Sequence, residues 1–182
     1  MQSFLLKHPV AYIYSYQNFN MQTSTQRAGR PSALKTIFAA GIVAGILDIS
    51  AAFINIILIQ QKDTTVQKIL QGIASAVFKK KSFDGGWETA MYGLGFHFII
   101  AFCFAAGYYI VYPYIPFLRK QKIIAGLLYG IFVWAVMNII VLQTVFPAFS
   151  PWKNALVNGG ILMICIGLPI SLITSYFYSK RY

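Results

Sequence analysis

Residues 123–142 read IIAGLLYGIFVWAVMNIIVL, an uninterrupted apolar stretch that contains no charged side chain. About 20 apolar residues in a helix are enough to cross the roughly 30 Å hydrocarbon core of a bilayer. The stretch does not alternate apolar and polar residues, as the strand of a membrane barrel does. It therefore predicts a membrane-spanning helix.

Further apolar stretches of this kind occur along the chain. The predicted spans cover residues 36–60, 90–112, 123–146 and 155–178. The composition agrees, because only 10% of the residues are charged, against about 25% in a soluble domain. We therefore predict an all-α integral membrane protein with four transmembrane helices, in which residues 35–180 form one four-helix membrane domain.

Residues 1–34 precede the first span and are predicted to form a cytoplasmic or interfacial segment. They show no signal-peptide cleavage pattern. A polar stretch begins at Met21 and would itself make a suitable cytoplasmic start. The sequence therefore leaves both Met1 and Met21 open as the translation start.

The loop between the first two predicted spans contains a segment with helical periodicity. Its apolar face carries Val66, Ile69, Leu70, Ile73, Val77 and Phe78. Its polar face is expected to carry Gln67, Lys68, Gln71 and Ser75. This pattern predicts a short amphipathic helix over about residues 65–78, which lies in the headgroup plane or packs across the mouth of the bundle.

Basic and aromatic side chains are expected where the chain meets the membrane surfaces. The predicted interfacial residues are Lys79, Lys80, Lys81, Trp87 and Trp152. A net charge of +11 would suggest nucleic acid in a soluble protein, but lysines beside membrane helices suit anionic headgroups better. We therefore predict the lipid bilayer as a partner and no nucleic acid. The tyrosine-rich stretches 108–114 and 176–182 are expected in the same interfacial belts.

The distribution of basic residues predicts an orientation. Nine Lys and Arg lie on the side that carries both termini and residues 113–122, and six lie on the side that carries residues 61–89 and 147–154. Cytoplasmic loops carry the excess of Lys and Arg. Both termini are therefore predicted to be cytoplasmic.

Small residues inside the spans predict where the helices pack, since they let two backbones approach closely. The predicted helix-packing glycines are Gly41, Gly45, Gly126, Gly130, Gly160 and Gly167. In the fourth span, α-helical spacing puts Gly160 and Gly167 on one face with Ile164, Ser171 and Thr174. In the first span, one face carries Gly41 and Gly45 together with Asp48 and Asn55.

Asp48 is the only acidic residue within a predicted span. A charged carboxylate at the centre of a bilayer costs about 2.5–3.5 kcal/mol or more. Asp48 must therefore face the interior of the bundle, and it must be either protonated or paired with a donor.

Counting about 1.5 Å of rise per residue along each span places the other polar side chains between the midplane and the side of the 61–89 loop. The predicted polar cluster contains Asp48, Asn55, His97, Asn138 and Asn158. Two interpretations are open. Hydrogen bonds from His97 or Asn138 to Asp48 would fix helix register, whereas Asp48 and His97 together could pass a proton or hold a cation.

No metal, cofactor or catalytic residue is predicted. His8 is the only histidine besides His97 and lies outside the spans, so a metal bound by Asp48 and His97 would have an unfilled shell. Cys103 and Cys165 lie in apolar runs and are expected to be small core residues. An intramembrane enzyme is the least favoured class.

Five segments follow one another along the chain, namely GIVAGILDISAAF, LQGIASAVF, GGWETAMYGLGFHFIIAFCFAAGYYIV, GLLYGIFVWAVMNIIVL and GLPISLI. Over about residues 36–178, this order resembles a group of small bacterial four-span membrane proteins. More distantly, the chain is similar to the YagU-like inner-membrane proteins. The resemblance implies an all-helical fold and a bacterial inner-membrane location, and it implies no reaction.

The sequence therefore favours a structural, binding or assembly component of the membrane, acting as a homo-oligomer or with a membrane-protein partner. The alternative is a subunit of a proton-linked transporter or channel that uses Asp48 and His97. Such a protein would be a dimer, because four helices rarely enclose a path.

Overall fold

A computed structural model of the chain describes residues 32–61, 63–141 and 155–180. The described residues form helices joined by turns and contain no strand. Four helical segments are long and apolar enough to cross a membrane, and they are called the first to fourth spans: Ala33–Ile59, Gly86–Val111, Lys122–Ile140 and Leu156–Ser179. The predicted all-α fold with four membrane-spanning helices is therefore confirmed.

Each span is built from one or two helical elements. The α-helices are α1 (Ala33–Phe53), α2 (Val66–Phe78), α3 (Gly86–Val111), α4 (Pro116–Lys120), α5 (Lys122–Ala135), α6 (Ala155–Leu162) and α7 (Leu168–Ser179). A 3₁₀ turn, Lys79–Phe83, joins α2 to the second span. The predicted end of the third span, at residue 146, lies outside the described residues.

The bundle has two halves, named after the chain segments next to them. The terminal-side half, where the first span begins and the fourth ends, comprises residues 33–47, 98–111, 122–135 and 168–179. The loop-side half, next to residues 60–85, comprises residues 48–59, 86–97, 136–141 and 155–167, together with α2.

Three spans contain a π-helical segment that the sequence analysis does not predict. These segments are π1 (Ile54–Ile59), π2 (Val136–Val141) and π3 (Met163–Gly167), and all three lie in the loop-side half. A π-helix bonds each carbonyl to the amide five residues on, as in the 2.8 Å bond from the Gln60 nitrogen to the Asn55 oxygen. Each segment therefore rotates the following residues relative to a continuous α-helix.

The second span packs on the first, the first on the fourth, and the fourth on the third. The third and fourth spans meet backbone to backbone at Gly126, Gly130 and Gly167. A methyl group added to Gly126 would lie 3.0 Å from the Gly167 carbonyl oxygen, and one added to Gly130 would lie 2.8 Å from the Met163 nitrogen. These three glycines thus let two membrane helices approach closely.

Gly41 and Gly45 instead receive aromatic rings from the second span. A methyl group on Gly45 would lie 2.7 Å from the Phe98 ring, and one on Gly41 would overlap the ring of Phe102. The first and second spans therefore interlock through a ring placed in the space left by each glycine.

Gly160 does not pack as predicted. A methyl group added to Gly160 would meet no atom of the described residues within 4 Å, and the side chain of Ile164 is 61% exposed. By contrast, Gly167 and Ser171 are buried. The prediction is wrong because it extends α-helical spacing across π3, which rotates Gly160 away from the face that carries Gly167.

The short helix α2 packs against the start of the second span. The backbone of α2 at Leu70 and Ala74 lies directly on Gly93, where an added methyl group would overlap the Leu70 carbonyl. Leu70 also joins Ile49 and Ala90 in a small apolar core. Gly93 is therefore a packing glycine that the sequence analysis does not identify.

The predicted polar face of α2 is wrong at two positions. Gln71 and Ser75 are buried, at 3% and 5% exposure. The Gln71 amide nitrogen donates a 2.8 Å hydrogen bond to the Gly86 carbonyl oxygen at the start of the second span. The same nitrogen lies 3.4 Å from the Thr89 hydroxyl oxygen, so a glutamine on the inner face of α2 joins this helix to the first turn of the second span.

Tyrosine side chains fill the terminal-side half of the bundle. Tyr108 and Tyr112 are 1% and 3% exposed. The ring of Tyr108 lies against Tyr129 with centroids 4.8 Å apart, and the ring of Tyr112 lies 4.6 Å from that of Tyr178. These rings belong to the bundle core and contact each other across the second, third and fourth spans.

The predicted interfacial belt is thus wrong for part of the stretch 108–114. Tyr114, at 71% exposure, is in a position that suits a belt, whereas Tyr108 and Tyr112 point into the bundle. Residues four apart share one face of a helix, so Tyr108 and Tyr112 both face the core, whereas Tyr114 follows the end of α3 and lies at the surface.

Candidate functional site

Asp48 lies near the middle of the first span and is partly buried. Its carboxyl group is close enough to interact electrostatically with His97 of the second span and with Cys165 of the fourth. The first span is packed between these two spans. Asp48 therefore faces the interior of the bundle, as the sequence predicts for an intramembrane acid.

His97 is held beside Asp48 by the backbone of the first span. Its Nε2 atom lies 3.0 Å from the carbonyl oxygen of Gly45, one turn before Asp48. A carbonyl oxygen only accepts, so Nε2 carries a hydrogen and donates it. Nδ1 makes no hydrogen bond to the described residues.

Asn138 turns back onto its own helix. Its amide nitrogen donates a 3.0 Å hydrogen bond to the Trp134 carbonyl oxygen, one turn earlier, and its side chain is 6% exposed. The amide of Asn138 is thus used within the third span.

The two hydrogen bonds by which Asp48 was expected to fix helix register are therefore not formed. His97 donates to Gly45 and Asn138 donates to Trp134. Within residues 32–61, 63–141 and 155–180, Asp48 has neither a hydrogen bond nor an ion pair.

A second polar contact lies closer to the loop side. The amide nitrogen of Asn55, in π1, donates a 3.4 Å hydrogen bond to the side-chain oxygen of Asn158, in α6. Asn55 is only 4% exposed, and its own side-chain oxygen is buried without a partner among the described residues. An acceptor of this kind is costly to enclose.

The predicted five-residue cluster is thus divided into three parts. Asp48 lies beside His97, Asn55 bonds to Asn158, and Asn138 bonds within its own span. The first two parts are separated along the first span by seven residues, or about 10 Å at 1.5 Å per residue. Depth along each span predicts which residues lie at a similar level, but it does not tell which side chains touch.

Cys165 belongs beside Asp48, although the sequence analysis treats it only as a core residue. Its partly buried thiol lies on the fourth span within electrostatic range of the carboxyl group. Residue 165 is near the middle of the span 155–178, so the depth count applied to asparagine and histidine would also have placed Cys165 at the level of Asp48.

Cys103 is not a core residue, and that prediction is wrong. Its side chain is exposed on the outer surface of the second span. Lipid tails are as apolar as a protein core, so an apolar neighbourhood in the sequence does not distinguish the two environments. Lys79, Lys80 and Lys81 are exposed on the loop side, as is Trp87 at 61%, whereas Trp152 lies outside the described residues.

The described residues contain no group of three or more His, Cys, Asp or Glu side chains that could hold a metal ion. Comparison of the whole chain with protein-family models, with curated proteins and with solved structures finds no match. The functional interpretation therefore depends on the geometry around Asp48.

Proposed function

We propose that the chain is a subunit of a proton-linked membrane channel or transporter, in which Asp48 binds and releases the proton. The observation that carries this proposal is the absence of any hydrogen bond or ion pair to Asp48 within the described residues, although His97 lies beside it. A carboxylate that only fixed helix register would accept a hydrogen bond. Asp48 instead resembles the acids that form proton relays in membrane helices.

The tautomer of His97 defines the proton-transfer step. Gly45 holds the hydrogen on Nε2, so the exchangeable proton of the imidazolium is the one on Nδ1. Its transfer to the Asp48 carboxylate leaves a neutral imidazole that still donates to Gly45, and a neutral carboxylic acid. Both products are better tolerated in an apolar medium than the two ions.

We propose a homo-oligomer as the functional unit, because four helices rarely enclose a complete path. Only 17–28% of the most apolar window of each span is buried inside the protein. The outward surface therefore leaves room for a second copy as well as for lipid. The same surface supports, as a second candidate, a binding or assembly role with another membrane protein.

The proposed location is a bacterial inner membrane with both termini in the cytoplasm. Support for this orientation comes from the nine basic residues on the terminal side against six on the loop side. Reaction of single exposed lysines with a membrane-impermeant reagent in intact cells and in inverted vesicles would test it.

Proton flux in reconstituted vesicles tests the proposed function. A potassium gradient with valinomycin drives protons, and a pH-sensitive dye inside the vesicles reports their movement. We expect Asp48→Asn to lower the flux by at least about tenfold, as the loss of an essential proton acceptor does. His97→Gln, which can still donate to the Gly45 carbonyl, is expected to lower it less.

Asp63→Asn is the matched control, since Asp63 is an exposed aspartate outside the spans. It should leave the flux unchanged. Wild-type flux no greater than that of protein-free vesicles, or unchanged flux in a folded Asp48→Asn variant, would contradict the proposal. Size-exclusion chromatography in detergent establishes whether each variant is folded.

A further inference from the structure

We infer that the contact between Asn55 and Asn158 is a gate that separates Asp48 from the loop side of the membrane. The inference deepens the proposed function and rests on it for the role of the gate in proton access. Control of access by this contact can be tested separately from proton transfer, because it affects how any water-soluble probe reaches the level of Asp48.

Two polar contacts join the first and fourth spans at different depths. Asp48 lies near Cys165, and Asn55 bonds to Asn158. Asn55 follows Asp48 by seven residues and Asn158 precedes Cys165 by seven, as expected for antiparallel helices. Both asparagines therefore lie about 10 Å from the level of Asp48, on the loop side of it.

The asparagine pair is closed in this structure but poorly satisfied. The hydrogen bond that joins the pair is long, at 3.4 Å. The Asn55 side-chain oxygen is enclosed with no donor among the described residues, and this atom can only accept. A buried serine or threonine hydroxyl group can rotate and donate to the carbonyl oxygen one turn earlier in its own helix. The side-chain oxygen of Asn55 cannot donate, so it needs a donor such as water. Opening the contact would let water supply that donor.

The helices on both sides of the pair can change their register locally. Asn55 lies within π1, and π3 begins shortly after Asn158. The π-bulges of other membrane and soluble proteins occur frequently at functional sites. A shift of π1 or π3 toward α-helix would rotate one asparagine away from the other without moving the terminal-side half.

The second span leaves this part of the bundle uncovered. In the described part of the chain, α3 packs extensively on α1 and α2 and only slightly on α7, and it makes no extensive contact with α6, π2 or π3. The first and fourth spans therefore meet on the loop side without a second-span helix lying across the asparagine pair. Among the described residues, the asparagine pair is therefore a polar contact between the first and fourth spans on the loop side of Asp48.

The terminal-side half offers no comparable route. Ser171 donates to the Lys122 carbonyl oxygen at 2.6 Å, so Tyr108 donates its hydroxyl hydrogen to Ser171, at 2.7 Å. Val133 and Ile170 are fully buried in the same core. Proton access to Asp48 is therefore from the loop side, through the gate.

The native thiol of Cys165 makes the test possible, because it lies at the level of Asp48, beyond the gate. A small, positively charged methanethiosulfonate reagent is added from the loop side to reconstituted protein carrying Cys103→Ser. The thiolate, formed in water, is the species that reacts. We expect Asn55→Ala to raise the labelling rate of Cys165 by roughly three- to tenfold, as the loss of one hydrogen bond would.

Asn138→Ala is the matched control. Asn138 is an equally buried asparagine at a π segment, but it bonds within its own span. It should leave the labelling rate unchanged. Asn158→Ala removes the same contact from the fourth span and replaces Asn55→Ala if that variant does not fold.

Unchanged labelling in both gate variants would overturn the inference, and so would an equal increase in Asn138→Ala. The labelling is also measured in Asp48→Asn, where proton flux is expected to be lost. If Asn55→Ala also speeds the labelling of Cys165 in the Asp48→Asn background, the gate is supported even if the proposed proton role of Asp48 fails.

Discussion

The two halves of this bundle are built from the same apolar residue types but differ in regularity. The terminal-side half consists of continuous α-helices around a core with Tyr108, Val133 and Ile170 at or below 1% exposure. The loop-side half contains all three π segments and a smaller core around Leu70. One half is thus suited to hold the helices together, and the other to change its contacts.

The hydrogen bonds of the two halves differ in part, although each half has a buried side-chain oxygen without a partner among the described residues, that of Thr174 in the terminal-side half and that of Asn55 in the loop-side half. Tyr108, Ser171 and the Lys122 carbonyl form a short chain in which each hydrogen has an acceptor. In the loop-side half, Asp48 has no partner within the described residues and the Asn55 oxygen is enclosed without a donor. Polar groups left in this state are typical of functional sites, where stability is given up for function.

The largest expected effect is on backbone packing where Gly130 of the terminal-side half meets the fourth span. Gly130→Leu would force a side chain into the Met163 backbone, and we expect a loss of about 3 kcal/mol or failure to fold, since overpacking costs roughly 1–3 kcal/mol and backbone cannot yield easily. Unfolding in detergent, followed by circular dichroism, measures this effect.

Gly160→Leu is its counterpart in the loop-side half, where an added methyl group meets no atom of the described residues within 4 Å. We expect a change of less than about 0.5 kcal/mol, as for a substitution that makes no new contact. Equal destabilisation by the two leucines would remove the structural difference between the halves.

Loss of the hydrogen bond of Tyr108 is expected to destabilise the protein less than Gly130→Leu does. Tyr108→Phe keeps the ring but removes the donor to Ser171, and it should cost about 1 kcal/mol, the net contribution of a typical hydrogen bond. Proton flux should be unchanged. Tyr114→Phe, at an exposed position, serves as the control in the same thermal measurement and should show no shift.

A change in stability of the opposite sign, no larger than that of Tyr108→Phe, is expected at the gate. Replacing both asparagines, in Asn55→Leu with Asn158→Leu, removes an unsatisfied pair and puts apolar groups of similar size in its place. Such exchanges are neutral or stabilising, here by up to about 1 kcal/mol. Loss of stability comparable to that of Tyr108→Phe would show that the pair is structural rather than a gate.

The double leucine variant also tests whether the loop-side half provides the route to Asp48. Leucine side chains would close the loop-side route, so we expect proton flux and labelling of Cys165 to fall together while the protein stays folded. A stable variant with wild-type flux would require another route to Asp48.

Much of the fold follows from the sequence because a helix in lipid needs a long apolar run. Residues 123–142 have no other stable arrangement in a membrane, and the short helix α2 is evident from its periodicity. The packing role of Gly126, Gly130 and Gly167 also follows, since close helix contact needs small residues.

The candidate site was predictable only in part. Depth counting brings Asp48 to the level of His97, and Asn55 to that of Asn158, because rise per residue is nearly constant. It does not tell that His97 donates to Gly45 rather than to Asp48, or that Asn138 bonds within its own helix. Hydrogen bonds depend on direction to within a fraction of an ångström, which no spacing along the chain supplies.

The sequence by itself determined the four spans, their apolar surfaces and the presence of one intramembrane acid, because these depend on length and composition against the thickness of a bilayer. Only the tertiary structure decided which polar groups meet. The π segments alter the helical register, and lipid and protein interior are equally apolar, so the faces of Gly160 and Cys103 had no signature in the sequence.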